Sequence, residues 1–395
     1  MKIVQINVTC GLGSTGKICT SVSELLSAEN IENYILYVSG KSSFPYGIKY
    51  ASDKYIKLQA LKSRIFGNYG FNSQYATKRL INELNRIKPD IVHLHNLHGH
   101  NCNLTMLFSY LKEKKIKLFW TFHDCWAFTG CCTHFVLSNC DKWKSECHNC
   151  PQYKKFSWFF DRSRYLFNER KKYSQGLDLT IITPSQWLAD LVKQSFFRNN
   201  PIRVINNGID LSVFKPTKSG FRAKNGLIGK KVILGVASIW GIEKGLDVFI
   251  ELAKHLPDDY RIVLVGTDDN VDKRLSSNII SIHRTQNQKE LAEIYTAADV
   301  LVNPTREDTF PTVNMESLAC GTPVVTFKTG GSPEILDETC GSIVDCDDVD
   351  ALEIEISRIC EEKPYAVEAC LARAQKFDMN DRFKKYVDLY KEFEK

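Results

Sequence analysis

The chain alternates short apolar runs with longer amphipathic stretches, and most runs end in glycine or a small polar cluster. Lys2 to Val8, Tyr34 to Val38, Ile91 to His95, Lys117 to Thr121 and Leu179 to Thr183 are such runs. The pattern restarts at Lys231 to Ala237 and continues through Arg261 to Gly266, Ile279 to Ile282, Val300 to Asn303 and Val324 to Phe327. Apolar runs of this length read as buried strands, and the helical stretches between them make strand–helix–strand units. Helices are expected from about Ile18 to Ala28, up to about Lys88, from the Ser185 cap onward, over Gln288 to Ala297, from Thr312, and after Asp345. Residues 41–79 are polar, aromatic and basic, and read as a long insertion with helical pieces. Between the two series, the stretch from Asn206 through Gly208 and Asp210 to Pro216 is rich in turn formers, as a hinge is. The expected fold class is α/β, with two doubly wound Rossmann-like domains at 1–205 and 206–375 and a helical segment at 376–395.

At 395 residues the prior is two domains, or three at most, each able to bury a core. A formal charge of +6 is modest, so no nucleic-acid partner is implied, although a local anionic surface is compatible with it. The opening MKIVQINV lacks the apolar core of a signal peptide. No run of about 18 apolar residues is present to span a membrane. A cytoplasmic chain is the expectation, peripheral at the inner face of the cell membrane if the basic-aromatic segment below touches lipid. Its 14 cysteines would then stay reduced or, in part, bind metal.

Chemistry concentrates between Ala298 and Glu334. A buried strand runs into an acidic turn (Glu307, Asp308), then a helix from Thr312, a break at Gly321, a second strand, and the turn Thr329-Gly330-Gly331-Ser332. Ligands of such layers sit where strands end and helices begin, and a glycine turn can leave backbone N–H groups bare for a diphosphate. Carboxylates at Asp308 and Glu316 suit sugar hydroxyls, which donate hydrogen bonds to them. Phosphate and polyol handles in one unit point to a nucleotide sugar. A second glycine-rich strand-to-helix turn, Gly11, Gly13, Ser14, Thr15 and Gly16, follows the first strand and is an anion cradle by geometry.

The spacing from Asp308 to Glu316 resembles the paired-acid E-x7-E motif of retaining family-4 glycosyltransferases, and the following ACGTPV and GG-x-x-E segments match theirs. So does the linker around Asn207-Gly208-Ile209-Asp210, with Phe214 and Pro216. The resemblance implies a GT-B architecture, two Rossmann-like domains facing a central cleft, with the last helix returning to the first domain. It implies transfer of a hexose from a UDP- or GDP-sugar to a glycan hydroxyl, with retention, in surface polysaccharide or lipopolysaccharide synthesis. In that family the second acid (Glu316) holds the ribose and the first lies beside the sugar. Here the first is Asp308 at the family spacing, with Glu307 one residue early, and the choice between them stays open. The resemblance also implies that Glu307, Thr309, Phe310, Gly330, Gly331 and Ser332 line the donor site. The loop from Gly11 to Gly16 would then serve donor phosphates and acceptor. Lys244 matches the family's phosphate cation, whereas Ile239 stands where an arginine is usual. No DxD-type site is evident, so no catalytic metal is expected. A GT-B sugar-nucleotide epimerase, or a non-catalytic binding scaffold, remains as the alternative.

Other features lie in the first domain. His93 and His95 alternate onto one strand face, which reads as polar lining more than as metal ligation. His123, at the end of a parallel strand, falls in the ligand crevice of an open sheet, and the resemblance implies an active-site role for it. Residues 125–173 are an unusual segment, rich in cysteine and then in bases and aromatics. Cys147 and Cys150 form a C-x2-C knuckle, and Cys132 and Cys140 complete a candidate structural zinc set, leaving Cys125 and Cys131 over. From Lys154 to Lys172, with Trp158, Phe159, Phe160, Arg162, Arg164 and Arg170, bases interleave with aromatics. That pattern suits an anionic membrane or a polyprenyl-diphosphate-linked acceptor, or equally a helix packing its aromatics inward.

Overall fold

The computed structural model describes residues 1–218 and 220–393. These form two compact units: Met1–Asn206 together with the chain from Asn380, and Asn207–Met379. The first contains β1 Lys2–Ile6, β2 Glu32–Tyr37, β3 Gly47–Lys49, β4 Ile91–Leu94, β5 Lys117–Thr121, β6 Leu179–Thr183 and β7 Ile202–Val204. All pair in parallel, in the order β3-β2-β1-β4-β5-β6-β7. The second contains β8 Lys231–Val236, β9 Tyr260–Val265, β10 Ile279–Ile282, β11 Val300–Asn303, β12 Val324–Phe327 and β13 Gly341–Val344. It repeats the parallel arrangement as β10-β9-β8-β11-β12-β13. Both are doubly wound Rossmann-like sheets whose order reverses once, between β1 and β4 and between β8 and β11, and ligands bind at that reversal.

Three short strands depart from the sequence expectation. β3 lies inside the segment read as an insertion, β7 inside the stretch leading to the hinge, and β13 precedes the helical tail. The first helix also begins earlier than expected, at Gly13 rather than about Ile18. The chain after Asp345 is helical as read, in Val349–Glu362, Val367–Gln375 and Met379–Lys391.

Alternation along the strands sets the layers. In the second sheet Val232, Leu234, Leu301 and Val324 face one core, while Ile233, Val300, Val302 and Val325 face the other. In the first sheet Val4, Ile6, Val92, Leu94, Leu118 and Trp120 face a large core. The opposite face carries buried polar groups at its centre, Gln5, His93, His95 and Thr121. The last helix covers that face: Tyr390 packs edge-on to Phe119 at 5.3 Å, and its hydroxyl bonds His93 Nδ1. Among the described residues, no helix is long and apolar enough to cross a membrane.

Candidate active site

In the second unit the chemistry gathers at the carboxyl ends of β8 and β11, beside the sheet's reversal. After β8 the chain makes a single helical turn, Ile242–Lys244, and leaves it through Gly245 at φ +73°. A Cβ at Gly245 would stand 2.5 Å from the Pro304 carbonyl, so glycine lets this turn lie flat against the segment after β11. Lys244 thereby reaches Asp308 Oδ2 at 2.6 Å, with Thr305 Oγ1 and the Glu307 carbonyl at 3.5 and 3.4 Å. Arg306 locks the same junction: it donates to both Asp247 oxygens at 2.8 Å and to Asp347 at 2.6 Å, and its amide donates to the Glu243 carbonyl. Sequence reasoning missed Arg306; being committed to these acids, it does not replace the cation absent at Ile239.

Asp308 and Glu307 now differ physically. Glu307 is buried, whereas Asp308 stays partly open and faces Lys244. Thr309 and Phe310 are also buried, and the Phe310 amide donates to Asp308 Oδ1. Glu316 lies half-buried on the helix Thr312–Ala319 and accepts from the Tyr295 hydroxyl at 3.0 Å. Burial, then the Glu316 carboxylate, hold the Tyr295 phenol well above its usual range, so it remains a donor that orients the acid. The glycine turn packs onto this set. Gly330 has φ +56°, and a Cβ there would meet the Asp308 carbonyl at 1.8 Å.

Two expectations for that turn change. Ser332 is fully buried, its hydroxyl bonded to Asn314 and Thr326, so its side chain supports the turn rather than lining a donor site. The Gly331 and Ser332 amides are taken up by the Asp308 and Thr329 carbonyls. Of the bare N–H groups expected, that of Gly330 is left among the described residues, along with the first-turn amides of the Thr312–Ala319 helix.

In the first unit the corresponding place is the end of β1, β4 and β5. Gly11 and Gly13 adopt φ of +72° and +68°, and the Gly11 amide closes the loop onto the Gly16 carbonyl at 3.0 Å. A Cβ on Gly16 would strike Thr9 Oγ1 at 2.7 Å. Among the described residues no side chain caps the helix Gly13–Ala28; Gly13 and Ser14 are exposed at its start and Thr15 is half-buried, the arrangement an anion uses.

Next to it runs a hydrogen-bonded row. Gln5 Nε2 donates to the Cys19 carbonyl at 2.9 Å, which turns Gln5 Oε1 toward His95 Nε2 at 3.2 Å. His95 therefore carries its proton on Nε2 and offers Nδ1 to His123 Nε2, 3.1 Å away. His123 is in turn the Nε2–H tautomer, with Nδ1 a lone-pair acceptor. Burial lowers its pKa to about 4, opposed by Asp124 and helped by His98. Burial also pushes His93 and His95 well below the usual range. His93 bonds Thr121 and Tyr390, so these rings form a neutral hydrogen-bonded network.

The segment 125–173 behaves in three ways. Trp158, Phe159 and Phe160 are exposed, at 51%, 64% and 54%, near Lys154 and Lys155. Arg170 is the correction: placed by sequence among surface bases, it is fully buried, stacked on Trp126 at 3.9 Å and bonded to the Trp126 and Thr129 carbonyls. Cys132 and Cys147 are buried, Cys140 and Cys150 half-buried. The segment is packed through its aromatics, because Phe128, Phe135 and Trp143 join the main core. All described cysteines are free thiols.

Two reversing α/β sheets, the second with an acid–lysine pair and glycine turn at its switch point, define the GT-B class of glycosyltransferase. Comparison with known proteins gives the family. Residues 230–362 match the model described as Glycosyl transferases group 1, and residues 17–213 match Glycosyltransferase Family 4. The chain belongs to the family-4 glycosyltransferases. It is 25% identical over 373 residues, 88% of each chain, to WcaC of Escherichia coli K12, described as a colanic acid biosynthesis glycosyl transferase. Sucrose-phosphate synthase from Thermosynechococcus elongatus superposes over 100% of this chain and 99% of its own, with TM-score 0.72 and 17% identity. Anabaena HepE, solved with UDP-glucose, superposes over 99% and 100%, with TM-score 0.71 and 14% identity.

Proposed function

We propose that this glycosyltransferase moves a hexose from a nucleoside-diphosphate sugar to a hydroxyl of a lipid-linked glycan in surface-polysaccharide synthesis, with retention at the anomeric carbon. UDP is the favoured nucleotide, since HepE is solved with UDP and UDP-glucose; the polysaccharide setting follows WcaC. The observation that carries the reading is Lys244 held 2.6 Å from Asp308 at the switch point of the second sheet. A cation there meets a diphosphate, while the neighbouring acid meets the sugar. In this reading charge grows on the leaving diphosphate and is stabilised by Lys244, the Gly330 amide and the helix N-terminus. The leaving oxygen takes the acceptor proton on the same face, and His123 works at the sugar as a neutral imidazole. The exposed Trp158–Phe160 edge with its lysines supports peripheral contact with an anionic membrane carrying the acceptor.

Glu316, steadied by Tyr295, accepts from both ribose hydroxyls in this account. Glu316→Ala should weaken nucleotide binding by roughly 1–3 kcal/mol, the cost of losing charge-assisted hydrogen bonds. Calorimetry with the nucleotide chosen by a screen of UDP, GDP and ADP reads this directly. Unchanged affinity would remove Glu316 from the ribose.

A further inference from the structure

We propose that Cys132, Cys140, Cys147 and Cys150 of the first unit together bind one structural zinc ion. These four thiols, with Cys131 and His148, line a single cavity of about 10 Å³. Room of that size takes a water or a small ion and nothing larger. A tetrathiolate set is a closed zinc site with no position for substrate, so this inference is independent of the donor chemistry above.

Backbone donors already face the sulfurs. The Gly130 amide donates to Cys147 Sγ at 3.2 Å, and the Gln152 amide bonds Cys150. Such N–H···S bonds favour thiolates and orient metal ligands. Between the two knuckle cysteines, Asn149 adopts φ +43°, which folds the C-x2-C segment so that Cys147 and Cys150 both reach the same cavity.

The second observation is Arg170. Its guanidinium is completely buried and within electrostatic reach of Cys131, Cys147 and Cys132. One terminal nitrogen serves two carbonyls, but among the described residues Nε and the other terminal nitrogen have no hydrogen-bond partner. An unpaired buried charge is strongly destabilising. Zinc with four thiolates carries a net charge of about −2 and supplies the missing counter-charge. Binding releases the thiol protons, which turns this cluster, two of its thiols buried and two half-buried, into the partner that Arg170 lacks.

Cys131 lies 3.9 Å from Cys150 but also faces a second cavity beside Tyr69 and Phe156. Cys132 lines the cavity shared with Cys140, Cys147 and Cys150 and, unlike Cys131, not the second one, which makes it the fourth ligand. Among the described residues no three of these thiols lie within 4.8 Å of one another. The ion would draw the loops around Cys132–Cys140 and Cys147–Cys150 together.

Elemental analysis of the full chain purified without chelator tests this. About one zinc per chain is expected, retained in Cys131→Ser and lost in the Cys147→Ser/Cys150→Ser double variant with a lower unfolding midpoint. If the double variant does not fold, cobalt exchanged into the unaltered chain should give tetrahedral visible bands with sulfur-to-metal charge transfer. The proposal falls if no zinc is bound or taken up from one equivalent of zinc chloride, or if iron replaces it. It falls equally if Cys131→Ser abolishes binding, if a folded double variant keeps its zinc, or if the cobalt spectrum lacks sulfur ligation.

Discussion

Lys244→Met should lower turnover roughly 10²–10³-fold, the range for removing one preorganised group that stabilises transition-state charge. The amine is fixed by Gly245 against Pro304 and reaches Asp308, so it needs little reorganisation when a diphosphate arrives. Methionine keeps most of the stem and removes the charge. Stability should change little, because lysine and aspartate remain 32% and 22% exposed, and a solvent-screened pair contributes about 0–1 kcal/mol. Saturating-donor kinetics beside a thermal melt separates the two effects. Wild-type turnover in the variant would exclude Lys244 from the reaction.

His123→Ala should lower turnover about 10²-fold or more, the range for removing one preorganised group that acts on the transition state, and should also lower the melt, because it takes a hydrogen-bond partner from buried His95. With its pKa near 4, His123 itself should impose no inflection on turnover between about pH 5 and 8. Stability is different. The folded imidazole binds its proton near 4 and an unfolded one near about 6.5, so the unfolded chain holds more protons between those values. Stability should fall as pH drops through that window and be flat above it; His93 and His95, also lowered by burial, act in the same direction. A melting temperature independent of pH from 7 down to 4.5 would contradict the buried neutral network.

Much of this site was legible because its chemistry is local. The run from Val300 to Glu334 carries strand, acid turn, helix and glycine turn in sequence order, and β11 and β12 fall where the apolar runs placed them. The strands that were missed, β3, β7 and β13, are three or four residues long and partly exposed, so no apolar run marks them. Supports were missed for another reason. Tyr295 beneath Glu316, Arg306 across the β8 and β11 turns, and Gln5 behind His95 act through contacts distant in sequence. Their signal was present only as polar residues in otherwise apolar surroundings. Ser332 shows the converse: a motif position whose hydroxyl braces the turn from inside. Arg170 reads as a surface base within Glu169-Arg170-Lys171-Lys172, and only the helix phase puts it inward.

The central claim is transfer from a nucleotide sugar with retention, and proton NMR of donor turnover tests it most directly. With an α-linked UDP-hexose and membrane-extracted acceptor lipid, the account predicts acceptor-dependent loss of donor and a new glycosidic signal in the α configuration. A β-linked product would contradict the mechanism. An epimerised donor with no transfer, or tight UDP binding with no donor consumed, would contradict the function.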